Sequence, residues 1–197
     1  QREVAIKFLH DKWVRDTIWR SRFLEEAKIL AQRDWHPNIA TVYELLEEKD
    51  QIAIIMMHYP GTLKDVRERD NGVDWEDAGT YVLQIASGLS VVHGGGLIHL
   101  DIKPSNILLD LHHKCHIADF GLAAATGAHG MTTGVGTLGY IAPEVASGQE
   151  YDHRADIYSL GVTWYTMLTG RTPISGSKQL GPLSNQLQGN PMPDKLA

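Results

Sequence analysis

Asp101, Lys103 and Asn106 fall together in the stretch "GLIHLDIKPSNILLD", with apolar runs on both sides. Gly96 and Pro104 break any regular pattern there. A carboxylate, an amine and an amide thus share one tight loop beside core-like sequence. Phosphoryl transfer needs such a set: an amine to hold phosphates, oxygen ligands for Mg²⁺, and a carboxylate that orients the attacking hydroxyl and accepts its proton. Further pieces occur in one order along the chain. Lys7 lies in "VAIK", Glu26 follows at a distance, Asp119 lies in "DFG", and "APE" occupies 142–144.

Several elements must position these residues. Residues 3–9 read as a strand, with Val4, Ile6 and Phe8 on one face and Lys7 between two of them. Residues 17–31 read as an amphipathic helix whose stripe is Phe23, Ala27 and Leu30. At ~100° per residue, Glu26 lies about 60° from the centre of that stripe, while Glu25 points away. A glutamate at the edge of a buried face needs a partner, and a lysine on a neighbouring strand would serve. "TVYELLE" and "QIAIIMM" read as a hairpin or adjacent strands, and "HYPGT" marks a boundary between lobes. Residues 76–93 form a second helix, ended by a glycine run. Short strands "NILL" and "CHIA" follow. Residues 121–140 read as a long flexible loop, and 156–169 as a buried helix, apolar nearly all round. Strands and one helix come first and mostly helices afterwards. This order predicts an α+β protein with a small sheet lobe and a larger helical lobe.

The bulk composition narrows the function classes. The chain has 197 residues, 43% hydrophobic and 21% charged, enough for one sizeable core. A formal net charge of −6 argues against a general nucleic-acid binder. The single cysteine, Cys115, excludes an internal disulfide and a Cys-based zinc site. No run reaches the roughly 18 apolar residues that span a bilayer. The opening on a strand without an initiator Met and the loop-like tail suggest a fragment of a longer protein, so the parent's membrane anchorage is unknown.

Each motif is weak alone, but the full set in this order resembles a eukaryotic-type (Hanks-type) serine/threonine protein kinase catalytic domain. The resemblance covers almost the whole chain. It implies a bilobal kinase-like fold with a partial small lobe over 1–57, a hinge over 58–62 and a partial large lobe over 63–197. It also implies ATP and Mg²⁺ as cofactors and a protein Ser or Thr hydroxyl as acceptor. Lys7 resembles the lysine that holds the α- and β-phosphates, and Glu26 the glutamate that pairs with it. Asp101 resembles the catalytic base, and Asn106 and Asp119 the Mg²⁺ ligands. Lys103 resembles the lysine that steadies the transferred phosphate, and Thr137 in "GTLGYIAPE" follows the Ser/Thr pattern. Met57 looks like the residue before the hinge, with His58 to Gly61, including Tyr59, meeting adenine. Asp156 would brace the catalytic loop through backbone contacts. The resemblance places the domain in the cytoplasm or at the cytoplasmic side of a membrane. "HPNIATVYELLEE" and "DIYSLGVTWYTMLTGRTPI" look similar to bacterial Ser/Thr kinases, and plant receptor-like kinases share part of them.

The chain also departs from the family pattern. Leu100 stands where most members have an Arg that binds a phosphate on the activation loop. Activity is therefore expected not to depend on phosphorylating Thr132 or Thr133. The alternative is that Leu100 merely packs under the loop while another cation, such as Arg154, takes the phosphate. The glycine-rich loop would precede Gln1, and the helices that follow in the family, with the partner of Glu144, would lie beyond the tail. Poor stability and weak nucleotide affinity are expected of these residues alone. A pseudokinase that binds partners without turnover is the runner-up reading, and "GTLGYIAPE" disfavours a small-molecule kinase. His112, His113 and His116 read as turn and strand histidines, Cys115 as a buried small hydrophobe, and the five Trp residues as core or interface anchors.

Overall fold

The computed structural model describes residues 3–9, 14, 16–32, 36–48, 51–70, 72–125, 136–137 and 139–173. The first layer is a three-stranded antiparallel sheet of β1 (Val4–Phe8), β2 (Val42–Glu47) and β3 (Ile52–Met57), in the order β1-β3-β2. Helix α1 (Thr17–Gln32) packs on it. Phe23 and Ala27 from the helix meet Leu9, Ile52 and Ile54 in one buried cluster. Strand alternation turns Ala5 and Lys7 to one side of β1 and Val4, Ile6 and Phe8 to the other. The apolar set is the exposed one: Val4, Ile6 and Phe8 are 43%, 49% and 60% accessible.

Beyond Met57 the chain is mainly helical, with short strands between. The elements are β4 (Gly61–Thr62), α2 (Leu63–Asp70), α3 (Trp75–Gly94), β5 (Leu97–Ile98), β6 (Ile107–Leu109), β7 (Cys115–Ile117), β8 (Ala124–Ala125), α4 (Pro143–Ala146) and α5 (Arg154–Thr169). Strands β4, β6 and β7 form a second small antiparallel sheet, and β5 pairs with β8. Helix α3 begins where Asp74 accepts the backbone N–H of Glu76. The largest core joins Leu63, Ile85, Leu89, Ile102, Ile107, Ile117 and Met167, so α2, α3, α5 and the 97–120 region share one interior.

Three expectations change. Helix α2 is not among the expected elements, although Thr62 and Asp65 hydrogen-bond across its start and Leu63 and Val66 are buried at i and i+3. The segment 121–140 is not all loop, because Ala124–Ala125 pairs with Leu97–Ile98; residues 126–135 and 138 lie outside the described residues. Helix α5 is not covered all round: Ile157 and Trp164, seven residues apart, share an exposed stripe. Of the tryptophans read as core or interface anchors, Trp75 and Trp164 are exposed. Helix α5 ends on Gly170 at φ 72°, a left-handed cap that suits glycine.

Candidate active site

Two side-chain clusters face one cleft. In the first, Lys7 on β1 reaches α1 and the segment after β7 at once. Its Nζ lies 2.8 and 2.9 Å from the two oxygens of Glu26 and 3.0 Å from Oδ1 of Asp119. Glu26 is almost wholly buried, at 4% side-chain exposure, whereas Lys7 and Asp119 are 38% and 47% exposed. Burial alone would pull the Lys7 ammonium down, but the two carboxylates beside it hold it above its ordinary value. Burial pushes the Glu26 carboxyl up, and Lys7 offsets only part of that. Burial also acts to raise Asp119, but the neighbouring Lys7 charge outweighs it and keeps this carboxyl below the usual range.

The second cluster centres on Asp101. Lys103 Nζ lies 2.6 Å from Asp101 Oδ2 and 2.5 Å from Thr137 Oγ1, and the Thr137 hydroxyl donates to Asp101 Oδ1 at 2.8 Å. Asn106 Nδ2 donates to the Asp101 carbonyl at 2.9 Å and to its Oδ2 at 2.8 Å. The loop is fixed from below. Asp156 on α5 is fully buried and accepts the backbone N–H groups of His99 and Leu100, both at 2.8 Å, with His93 Nε2 2.7 Å away. The His99 ring meets the edge of Phe120 at 4.7 Å and lies 3.1 Å from the Ala118 carbonyl, tying the Asp101 loop to the Asp119 segment. Leu100 and Asp119 adopt φ of 67° and 66°, left-handed conformations that such surrounding bonds must sustain.

The cleft between the clusters has a volume of about 310 Å³. Lys7, Glu26, Met57, Tyr59, Asn106 and Asp119 line it, together with Ala5, Met56, Ser105, Leu108 and Ala118. The sequence does not single out the latter five; Ala5 shares the β1 face of Lys7, which is the signal that could find it. His58 is not in the lining. Its side chain is exposed, 3.5 Å from Glu3, and does not border the cleft, whereas the next residue, Tyr59, is buried against it. The Tyr59 hydroxyl accepts the Thr41 N–H at 3.1 Å. Asp101, Lys103 and Thr137 stand beside the cleft rather than in its lining.

Leu100 is buried with Ile98, Ala142, Val145 and Ala155. Arg154 is engaged on the surface by Asp152 at 3.0 Å. Thr132 and Thr133 lie outside the described residues. His112 and His113 are exposed in the β6–β7 turn, while His116 is buried in β7. Burial pushes the Cys115 thiol up to about 12.

Comparison with known proteins agrees with this geometry. The family model described as a protein kinase domain matches residues 1–193. The serine/threonine-protein kinase drp72 of Corynebacterium efficiens is 38% identical over 91% of this chain and 36% of its own. PrkC of Bacillus subtilis, a serine/threonine-protein kinase, is 35% identical over 95% of this chain and 29% of its own. PknJ of Mycobacterium tuberculosis, likewise, is 37% identical over 88% and 31%. The chain therefore spans about a third of the length of these relatives.

Proposed function

Because the chain belongs to the protein kinase domain family, we propose that its parent protein is a serine/threonine kinase that moves the γ-phosphoryl group of ATP to a Ser or Thr hydroxyl of a protein substrate. One observation carries this reading: the Lys7–Glu26–Asp119 cluster lines the cleft, and the Asp101–Lys103–Thr137 cluster stands beside it, joined to the lining through Asn106, with hydrogen-bonding distances within each cluster.

In this reading Lys7, braced by Glu26, holds the α- and β-phosphates. The acceptor hydroxyl oxygen forms its bond to the γ-phosphorus as the bond to the bridging oxygen breaks and ADP leaves; the hydroxyl proton goes to Asp101. The Thr137 hydroxyl already sits 2.8 Å from Asp101 Oδ1, which supports that carboxylate as a hydroxyl acceptor. Lys103 beside it would steady the moving phosphate. The donor set fits a magnesium ion. Asn106 spends its N–H groups on Asp101, so its oxygen, with only Ser105 Oγ 3.4 Å away, is left for another partner. Asp119 is favoured as the charged form. Two oxygen ligands, with phosphate and water supplying the rest, suit this hard cation, which would neutralise phosphate charge. Met57 and Tyr59 form the wall for the adenine, with His58 contributing through its backbone. The domain would work in the cytoplasm or on the cytoplasmic side of a membrane, where ATP is available.

The test is phosphate transfer from labelled ATP with Mg²⁺ to a generic basic protein by the complete parent, with Asp101→Asn as control. Transfer that disappears in the variant is expected. A folded parent that transfers nothing would overturn the proposal.

A further inference from the structure

Outside the cleft, polar contacts converge on two amide side chains, Asn38 and Gln84. Asn38 is 4% exposed, and its Nδ2 donates to the Cys115 carbonyl at 2.9 Å. Gln84, on α3, accepts the Cys115 N–H on Oε1 at 2.7 Å and lies 3.5 Å from Asn38 Nδ2. The backbone follows the same contact: Ile117 N–H donates to Asn38 O at 2.9 Å and Ala40 N–H to Ile117 O at 2.8 Å. Residues 38–40 therefore run beside β7 through a parallel bridge at Ile39 and Ile117. Gly88, one helical turn beyond Gln84, makes the approach possible; a Cβ there would stand 2.8 Å from both Asn38 O and Ile117 Cδ1.

Neither amide borders the cleft, yet both segments they join lead straight into its walls. Strand β7 continues to Ala118 and Asp119. Residues 38–40 continue to Thr41, which donates its N–H to the Tyr59 hydroxyl at 3.1 Å and accepts the Met57 N–H at 2.9 Å. We infer that Asn38 and Gln84 are positioning residues for the nucleotide cleft, setting the Ala118–Asp119 wall against the Met57–Tyr59 wall through their shared grip on Cys115. This inference rests on the kinase reading above.

The two amides act in opposite senses, which makes the inference separable from simple loss of stability. Gln84 serves as an acceptor, so Gln84→Glu keeps the contact and Gln84→Ala removes it. Asn38 serves as a donor, so Asn38→Asp sets an oxygen against the Cys115 carbonyl. In steady-state assays of the complete parent, Gln84→Ala and Asn38→Asp should raise KM for MgATP about tenfold, because small displacements of a binding wall are felt strongly. KM for the protein substrate should not move, and Gln84→Glu should behave like the wild type. A fall in kcat with both KM values unchanged would overturn the inference. A second measurement needs no variant. Coupling is reciprocal, so MgATP should slow amide hydrogen exchange at Ala40, Cys115 and Ile117 in the native parent; unchanged exchange there would also overturn it. Wild-type protein that neither binds MgATP nor transfers phosphate would instead defeat the kinase reading. Wild-type protein that does both, with KM for ATP unmoved in the variants, defeats this inference alone.

Discussion

Asp156 accepts the backbone N–H of Leu100 at 2.8 Å and thereby holds a branched residue in the left-handed region, at φ 67°. Without that bond the conformation is unfavourable by roughly 1–2 kcal/mol. Asp156→Asn would keep one acceptor oxygen and set an NH₂ group against the other buried donors. The expected loss is about 2–3 kcal/mol of stability, the range for a charge-assisted bond with its stranded partner. Phosphate transfer should fall with it, since Asp101 follows Leu100 directly. Thermal melts and labelled-ATP assays on the parent would measure both; an unchanged melting temperature would show that these bonds do not hold the loop.

Leu100, at the position where the kinase resemblance implies a phosphate-binding arginine, is anchored by packing. The parent with Thr132→Ala and Thr133→Ala together should keep most of its transfer rate, whereas Leu100→Ala should remove about 2–4 kcal/mol of stability through the cavity it leaves. Abolished transfer in the double-threonine variant would refute the first half, and a melt like that of the wild type the second.

Much of this site is legible in the amino-acid sequence. The angular offset of Glu26 from the Phe23–Ala27–Leu30 stripe asks for a cation, and Lys7 supplies it at 2.8 Å. Asp101, Lys103 and Asn106 meet because the loop is too short to separate them. The brace from Asp156 comes only through family resemblance, because nothing local to it points at a loop 56 residues away. The Asn38 contact is invisible for the same reason: its partner carbonyl lies 77 residues off, and a lone buried amide has no periodicity. Helix α2 escapes a pattern reading because only Leu63 and Val66 stand out among its charges. In α5, composition cannot say which apolar stripe neighbouring elements leave bare.

Glu26→Gln separates stability from function. The Glu26 carboxyl titrates above its ordinary value of 4.5 in the folded chain. Its contribution to stability is thus full below 4.5 and declines as pH rises through its folded value, because the unfolded state releases the proton first. The variant should lose that downward slope while keeping an acceptor for Lys7. Its melt at neutral pH should match or exceed that of the wild type, while transfer drops about tenfold or more through poorer phosphate positioning. Paired melts across pH 4 to 7 would decide; parallel curves would contradict the assignment.

His116 gives the opposite slope. Its ring is buried, 4.6 Å from the Tyr59 ring, with Asp110 3.5 Å away and Lys114 also acting on it. Burial holds its pKa below the ordinary 6.5 despite Asp110. Its stabilising contribution is therefore complete above 6.5 and is lost as pH falls through the folded value. His116→Gln should flatten the acid side of the stability profile below that pH. An identical acid slope in the variant would locate the sensitivity elsewhere.

The burial of Cys115 has a practical side. Its thiol is enclosed and held in the unreactive protonated form, and no other cysteine occurs among these 197 residues. Among these residues, electrophilic inhibitors that rely on thiol capture find no reactive cysteine lining the cleft. By the same token, a cysteine introduced at exposed Ser105, which borders the cleft, would be the one readily alkylated thiol among these 197 residues, so a fluorophore attached there would report nucleotide arrival without background from Cys115.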